Sequence, residues 1–191
     1  MITVAIAAKE RRDVNTIDLP GAYLHTDKDE ETIMLLKGKL AELLVQVEPS
    51  LYRKYVITSS KGEPMLYVKL HKALYGLLCS ALLFYRKLSQ QLVDHGTSPL
   101  IINKYDPCVA TKNIPTSSST ALIARANNLR YGKDKSNSTF TVEDSYQQTV
   151  VWHVDDLMVS HIDPVENTKF ALHFGELYNK EAPNQLQRTV Q

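Results

Sequence analysis

Three aspartates are the side chains in this sequence best placed to act together: Asp18, which closes the extended segment Val-Asn-Thr-Ile-Asp at 14–18, and the adjacent pair Asp155 and Asp156. Strand ends and hairpin tips are rigidly held, so carboxylates from two such places can converge on one cation at little ordering cost. Magnesium suits such a site, since it takes one or two carboxylates and completes its octahedron with water and substrate phosphate. Two such ions, about 3.5–4 Å apart, would activate an attacking hydroxyl and stabilise the leaving oxygen of an in-line phosphoryl displacement. The residues alone leave a plainer alternative open. Adjacent aspartates are common turn residues, because their side chains bond nearby backbone amides, and Asp before Leu-Pro-Gly is a natural turn opener.

The elements that must position these carboxylates can be read from periodicity. Thr-Val-Val-Trp-His-Val at 149–154 predicts a buried strand and Leu-Met-Val-Ser-His-Ile at 157–162 a second, forming a hairpin with the two aspartates at its tip. Beyond it, Asp163 caps a helix with Pro164 at its first position and Glu166 completing a capping-box pattern, running to about Lys180. Upstream, Leu74, Leu77, Leu78, Ala81, Leu82, Tyr85, Leu88 and Leu92 recur at helical spacing and read as a core stripe, with Gly96 as a left-handed stop. Met65 to Leu70 predicts a strand, and Gly38 to Val47 a helix ending before Glu48-Pro49. Residues 113–148 are rich in Ser, Thr and Asn without a sustained period, which predicts a polar loop or insertion, and 181–191 an unstructured tail. The expected fold class is α+β, a small antiparallel sheet packed on helices, divided into an ordered portion over 1–112, the polar segment, and a second ordered portion over 149–180.

Composition adds bounds. The chain has 191 residues, 43% hydrophobic and 23% charged, enough to bury a core of its own. A net charge of +1 means no global basic field marks a nucleic-acid partner, so any such contact must come from local patches. Lys69, Lys72, Arg86 and Lys87 are candidates for phosphate contacts, or simply a solvated helix face. Cys79 and Cys108 are too few for a disulfide framework and lack zinc-ligand spacing, which predicts reduced thiols. No apolar run approaches the ~18 residues of a membrane span, so the expectation is a soluble, intracellular chain without a membrane partner.

Four short segments, in order, resemble one family. Ile17-Asp18-Leu19-Pro20-Gly21-Ala22-Tyr23-Leu24 looks like the first catalytic motif of copia-type retrotransposon reverse transcriptases, and Lys72-Ala73-Leu74-Tyr75-Gly76-Leu77 is similar to the family's most recognisable string. Tyr105-Asp106-Pro107-Cys108-Val109 resembles its strand before the active hairpin, and Val154-Asp155-Asp156 its Val-Asp-Asp box. Together they cover Thr16 to Lys169 apart from the polar segment, and ordered matches are more specific than any one alone.

The resemblance implies the palm and part of the fingers of an RNA-directed DNA polymerase, a domain of a longer retrotransposon polyprotein. Its partners would be an RNA or DNA template with primer, deoxynucleoside triphosphates and other parts of the polyprotein, in a cytoplasmic virus-like particle with a nuclear stage. By the same resemblance Asp18 and Asp155 would be the principal ligands of two Mg2+ ions, with Asp156 in support. Tyr23 would pack under the incoming sugar and exclude a 2′-hydroxyl. Tyr75 and Gly76 would lie against nucleotide and template, and His153 stands where the family usually has tyrosine. The sequence departs from the family at Leu78 to Phe84, which replaces its Lys-Gln and Pro-Arg-Trp-like residues, and at the polar segment, which replaces a short turn. A second reading is therefore a degenerate, non-catalytic fragment of such an element, and a third an unrelated small α+β binding module.

Overall fold

A computed structural model of the chain describes residues 2–94, 99–131, 142–179 and 188–190. In chain order the elements are helix α1 (Ile2–Glu10), strand β1 (Asp13–Asp18), a 3-10 turn at Ala22–His25, β2 (Asp27–Lys37), α2 (Lys39–Val47), α3 (Pro49–Tyr52), a second 3-10 turn at Arg53–Tyr55, β3 (Ile57–Thr58), β4 (Pro64–Lys72), α4 (Leu78–Val93), β5 (Ile101–Ile102), β6 (Val109–Pro115), α5 (Ser118–Tyr131), β7 (Ser145–His153), β8 (Asp156–His161), α6 (Pro164–Asn179) and β9 (Arg188–Val190). They form an α+β fold with two antiparallel sheets, one in the order β5-β6-β7-β8-β1-β9 and one in the order β2-β4-β3.

The larger sheet is two-sided in the way the strand period requires. Ile17, Val150, Trp152, Leu157 and Val159 face α4 and α6, where they meet Phe84, Leu88 and Leu92 from one helix and Phe170, Phe174 and Tyr178 from the other. The three α6 rings recur every fourth residue, so they stack along one helix face, with centroids 4.5 and 6.2 Å apart. Each of these side chains is nearly or wholly removed from water, a gain of about 1.5–3 kcal/mol apiece before ordering costs.

Several elements differ from what the sequence suggests. The long helix begins at Leu78 rather than Leu74, because Leu74 to Leu77 forms a turn in which Gly76 has φ +94°, a left-handed value costly for any side chain. Ser80 Oγ closes that turn, donating to the Leu74 carbonyl at 2.7 Å and accepting its N–H at 3.2 Å. The stripe that packs is therefore Phe84, Leu88 and Leu92, while Leu78 and Leu82 point to solvent. Gly96, the expected stop, lies outside the described residues.

The segment 113–148, expected as a loop, continues β6 to Pro115, carries the 14-residue helix α5, and returns as β7 from Ser145. Its helix is anchored by polar contacts instead of an apolar stripe, which is why periodicity missed it. Ser117 Oγ accepts the Thr120 N–H at 3.1 Å, and Ser119 and Thr120 hydroxyls donate to Asp163 at 3.1 and 2.8 Å. The tail expected to lack structure contributes β9, which adds to the edge of β1 through backbone pairing at Asn15↔Val190 to Ile17↔Arg188. The remainder of 181–191 lies outside the described residues.

The α6 cap forms as expected, with Val165 N–H on Asp163 Oδ1 at 3.0 Å. The reciprocal half of the capping box does not: the Asp163 N–H goes to His161 Nδ1 at 3.0 Å, and Glu166 pairs with Lys169 at 2.6 Å. Among the described residues no helix is long and apolar enough to cross a membrane.

Candidate active site

β1 and β8 pair in the register Ile17↔Leu157 and Asp18↔Asp156. Directly opposed residues in an antiparallel pair share a face, so burying Ile17 and Leu157 against the helices sends Asp18 and Asp156 to the other side together. β7 and β8 pair up to His153↔Asp156, which leaves Val154 and Asp155 as a two-residue hairpin loop and puts His153 on the same open face. The Asp155 carbonyl accepts the Leu19 N–H at 3.0 Å. That bond ties the hairpin tip to the end of β1, so all three carboxylates hang from one rigid corner.

The tip is strained. Val154 has φ +57°, and a β-branched residue in the left-handed region is a genuine outlier that costs of order 1–3 kcal/mol. Two-residue hairpin loops require positive φ at their first position, which glycine or asparagine usually supplies. Here the register on both sides and the Leu19–Asp155 bond hold a valine there.

The electrostatics match the geometry. Burial, and then the charges of Asp155 and Asp156, push the Asp18 carboxyl above its ordinary value. Among the described residues no lysine or arginine forms an ion pair with any of the three. A group of carboxylates that repel one another without a side-chain counter-charge is the donor set a hard divalent cation prefers. Among the described residues no three such side chains converge closely enough to enclose an ion by themselves. An ion here would be held by at most two of these carboxylates, with other ligands completing its shell.

Tyr75 joins the corner from the turn before α4. Its hydroxyl donates to Asp155 Oδ2 at 3.4 Å, and its ring lies 4.5 Å from that of Tyr23. Tyr23 in turn meets Phe84 edge-on at 6.1 Å, so the core of the sheet supports both tyrosines. Burial and the neighbouring Asp155 raise the Tyr75 phenol above its ordinary value, keeping it a neutral donor. Gly76 is next to this pair, but nothing lies within 4 Å of where its Cβ would stand. Within the chain its requirement is the positive φ.

The structure brings Asp18, Tyr23, Tyr75, His153, Asp155 and Asp156 to one corner and draws most of the basic candidates elsewhere. Lys69 pairs with Glu31 at 2.9 Å and Lys72 with Asp27 at 2.8 Å, while the Lys87 ammonium donates to the His25 carbonyl. Arg86 is exposed. Cys79 and Cys108 are free thiols, as expected, and Lys28 Nζ approaches Cys79 Sγ at 3.0 Å.

Sequence reasoning missed one feature of the site. α1 crosses the open face of the sheet, and Thr3 and Val4 close a groove of about 450 Å³ over Thr16, Val151 and Met158, with Asp18, His153 and Asp156 at its edge. The Arg12 guanidinium secures the end of that crossing with a bond to Thr149 Oγ1 at 2.9 Å. No sequence signal marks it, since Ile-Thr-Val-Ala-Ile-Ala-Ala-Lys-Glu has no clean apolar face. Compared with protein-family models, curated proteins and solved structures, the chain matches none of them.

Proposed function

We propose that this chain is the palm-centred part of a copia-type reverse transcriptase, whose chemistry is magnesium-dependent, template-directed nucleotidyl transfer from deoxynucleoside triphosphates. One observation carries the reading: Asp18 and the Asp155–Asp156 hairpin tip, far apart in sequence, form one unpaired acidic corner on the open face of a sheet backed by two helices. Asp18 and Asp155 would hold Mg2+, with Asp156 beside them, and the ions would supply Lewis-acid polarisation of phosphate and of the attacking hydroxyl. Tyr75 orients Asp155 through its hydroxyl, and the Tyr23 ring, tilted at 43° against that of Tyr75, offers an apolar surface on which a sugar can rest. A primer end would approach the acidic corner at the edge of the groove that α1 covers.

The test is extension of a primed RNA template by the purified chain with magnesium and four deoxynucleotides, beside the double variant Asp155→Asn, Asp156→Asn. Extension by wild type that disappears in the variant is the expected result. A folded wild-type chain that extends nothing supports the non-catalytic remnant instead, and Mg2+ affinity unchanged in the variant points to an unrelated binding module.

A further inference from the structure

Helix α1 is fastened to the sheet at one end only. Where it runs into β1, the Arg12 guanidinium bonds Glu10 in the last turn of the helix at 2.7 Å and Thr149 Oγ1 on β7 at 2.9 Å, and its side chain is only 7% exposed. This clamp lies over a part of the face that is closed to water, since Thr149 and the opposed Ser160 are both buried. Toward the other end the attachment thins. Among the described residues of α1 only Ala7 is buried, while Ile2, Val4 and Ile6 are 77%, 47% and 39% exposed. Thr3 and Val4 overhang the sheet, leaving the groove of about 450 Å³ between themselves and Val151 and Met158. That groove ends at Asp18, His153 and Asp156, whose side of the sheet is exposed.

The junction beneath the clamp is a single tight turn. Arg11 has φ +55°, a left-handed value that a residue other than glycine adopts at a cost, and the Arg12 N–H closes the helix on the Ala7 carbonyl at 2.9 Å. A helix of nine residues is marginal in water by itself, so α1 depends on its docking for order. Segments that bury few apolar groups open locally at the least free energy, and here those few are gathered at the hinge end. We infer that α1 is a hinged strap: it turns about Arg11, is held down by the Arg12 clamp, and lifts at its Thr3 end to open the groove. In the position seen here it restricts entry to the sheet face beside the acidic corner. On the reading of that corner as a magnesium and nucleic-acid site, on which this consequence rests, lifting α1 admits the strand that the closed strap keeps at the groove's edge.

Cysteine labelling of the full chain tests the strap without metal or nucleic acid, so its result stands apart from that of the extension assay. Met158→Cys puts a thiol on the floor of the groove, and peptide mass spectrometry counts it separately from Cys79 and Cys108, which lie outside the groove and serve as internal references. With a bulky maleimide the Met158→Cys thiol should react slowly, at a rate set by opening of the strap. Arg12→Ala, which removes the clamp, should raise that rate about tenfold, the effect of losing one hydrogen bond from a charged group. Ala7→Glu, which unseats the helix and leaves the Arg12 side chain in place, should act in the same direction, and neither change should alter the rates at Cys79 and Cys108. Hydrogen exchange of the unsubstituted chain covers the case in which a variant unfolds: α1 amides should exchange well ahead of those of β7 and β8. A Met158→Cys thiol that reacts as fast with the strap intact as in a folded Arg12→Ala or Ala7→Glu variant, or α1 amides as slow as those of β7 and β8, would overturn the inference.

Discussion

Removing the Asp163 carboxylate should destabilise the fold by about 2–4 kcal/mol. Asp163 is 1% exposed and serves three donors, the Val165 N–H at 3.0 Å and the Ser119 and Thr120 hydroxyls at 3.1 and 2.8 Å. A lost N-cap costs about 1 kcal/mol, and hydrogen bonds to a charged group about 1.5–3 kcal/mol each. Two terms reduce that sum in Asp163→Ala: the cost of burying the charge is recovered, and Ser117 Oγ, 2.8 Å from both hydroxyls, can take up part of their bonding. Burial pushes the carboxyl up, but the Val165 N–H, Thr120 and Ser119 together hold it below the ordinary carboxylate value. Its folded value being depressed, its contribution is fully present above about 3.9 and is lost as pH falls through the folded value. Urea unfolding at neutral pH and near pH 3 reads both effects: the variant should lose stability at neutral pH and show a shallower acid dependence. A loss under about 1 kcal/mol at neutral pH would refute the argument, since α5 would then not depend on this carboxylate.

Three further outcomes follow from the same structure. His161 is fully buried and its imidazole is held below the ordinary value chiefly by that burial, so stability should decline as pH drops below about 6.5 toward the folded value, followed by imidazole NMR titration beside urea melts. Val154→Gly should stabilise the protein by up to about 1 kcal/mol, as relief of left-handed strain outweighs the entropy glycine adds to the unfolded chain; a lower denaturation midpoint would show that Val154 is not strained. Asp18→Asn should raise the melting temperature of the metal-free protein, because the ionised carboxyl is disfavoured by burial and by Asp155 and Asp156, and, if the proposed metal role holds, added Mg2+ should raise the wild-type melting temperature more than the variant's.

How far the sequence discloses this molecule depends on what holds each part. β7 and β8 were legible as short apolar runs on either side of the two aspartates, β1 as an extended segment whose burial alternates, and the cap at Asp163 because it uses local chemistry. The convergence of Asp18 with Asp155 and Asp156 was not derivable from spacing; it follows from the register Ile17↔Leu157, which is set by which side chains the helices bury. β2 escaped notice because Thr-Ile-Met-Leu-Leu at 32–36 is apolar on both faces, concealing the period of two. α5 escaped because its anchors are hydroxyls, although Ser117 three residues before Thr120 is a capping signal that closer reading would find. β9 has only three residues and takes its structure from the free edge of β1, information that no local window contains.

The strand order β8-β1-β9 also has a kinetic consequence. β1 is made before both of its neighbours, which follow much later in the sequence, at 156–161 and 188–190. Pairings that span so much sequence close the largest loops and form last. During synthesis Asp18 therefore waits on an unpartnered strand, and the acidic corner assembles only after the β7–β8 hairpin has emerged. Until then the edges of β1 are open templates for other strands, which makes this segment the point where misfolding or aggregation of the nascent chain would begin.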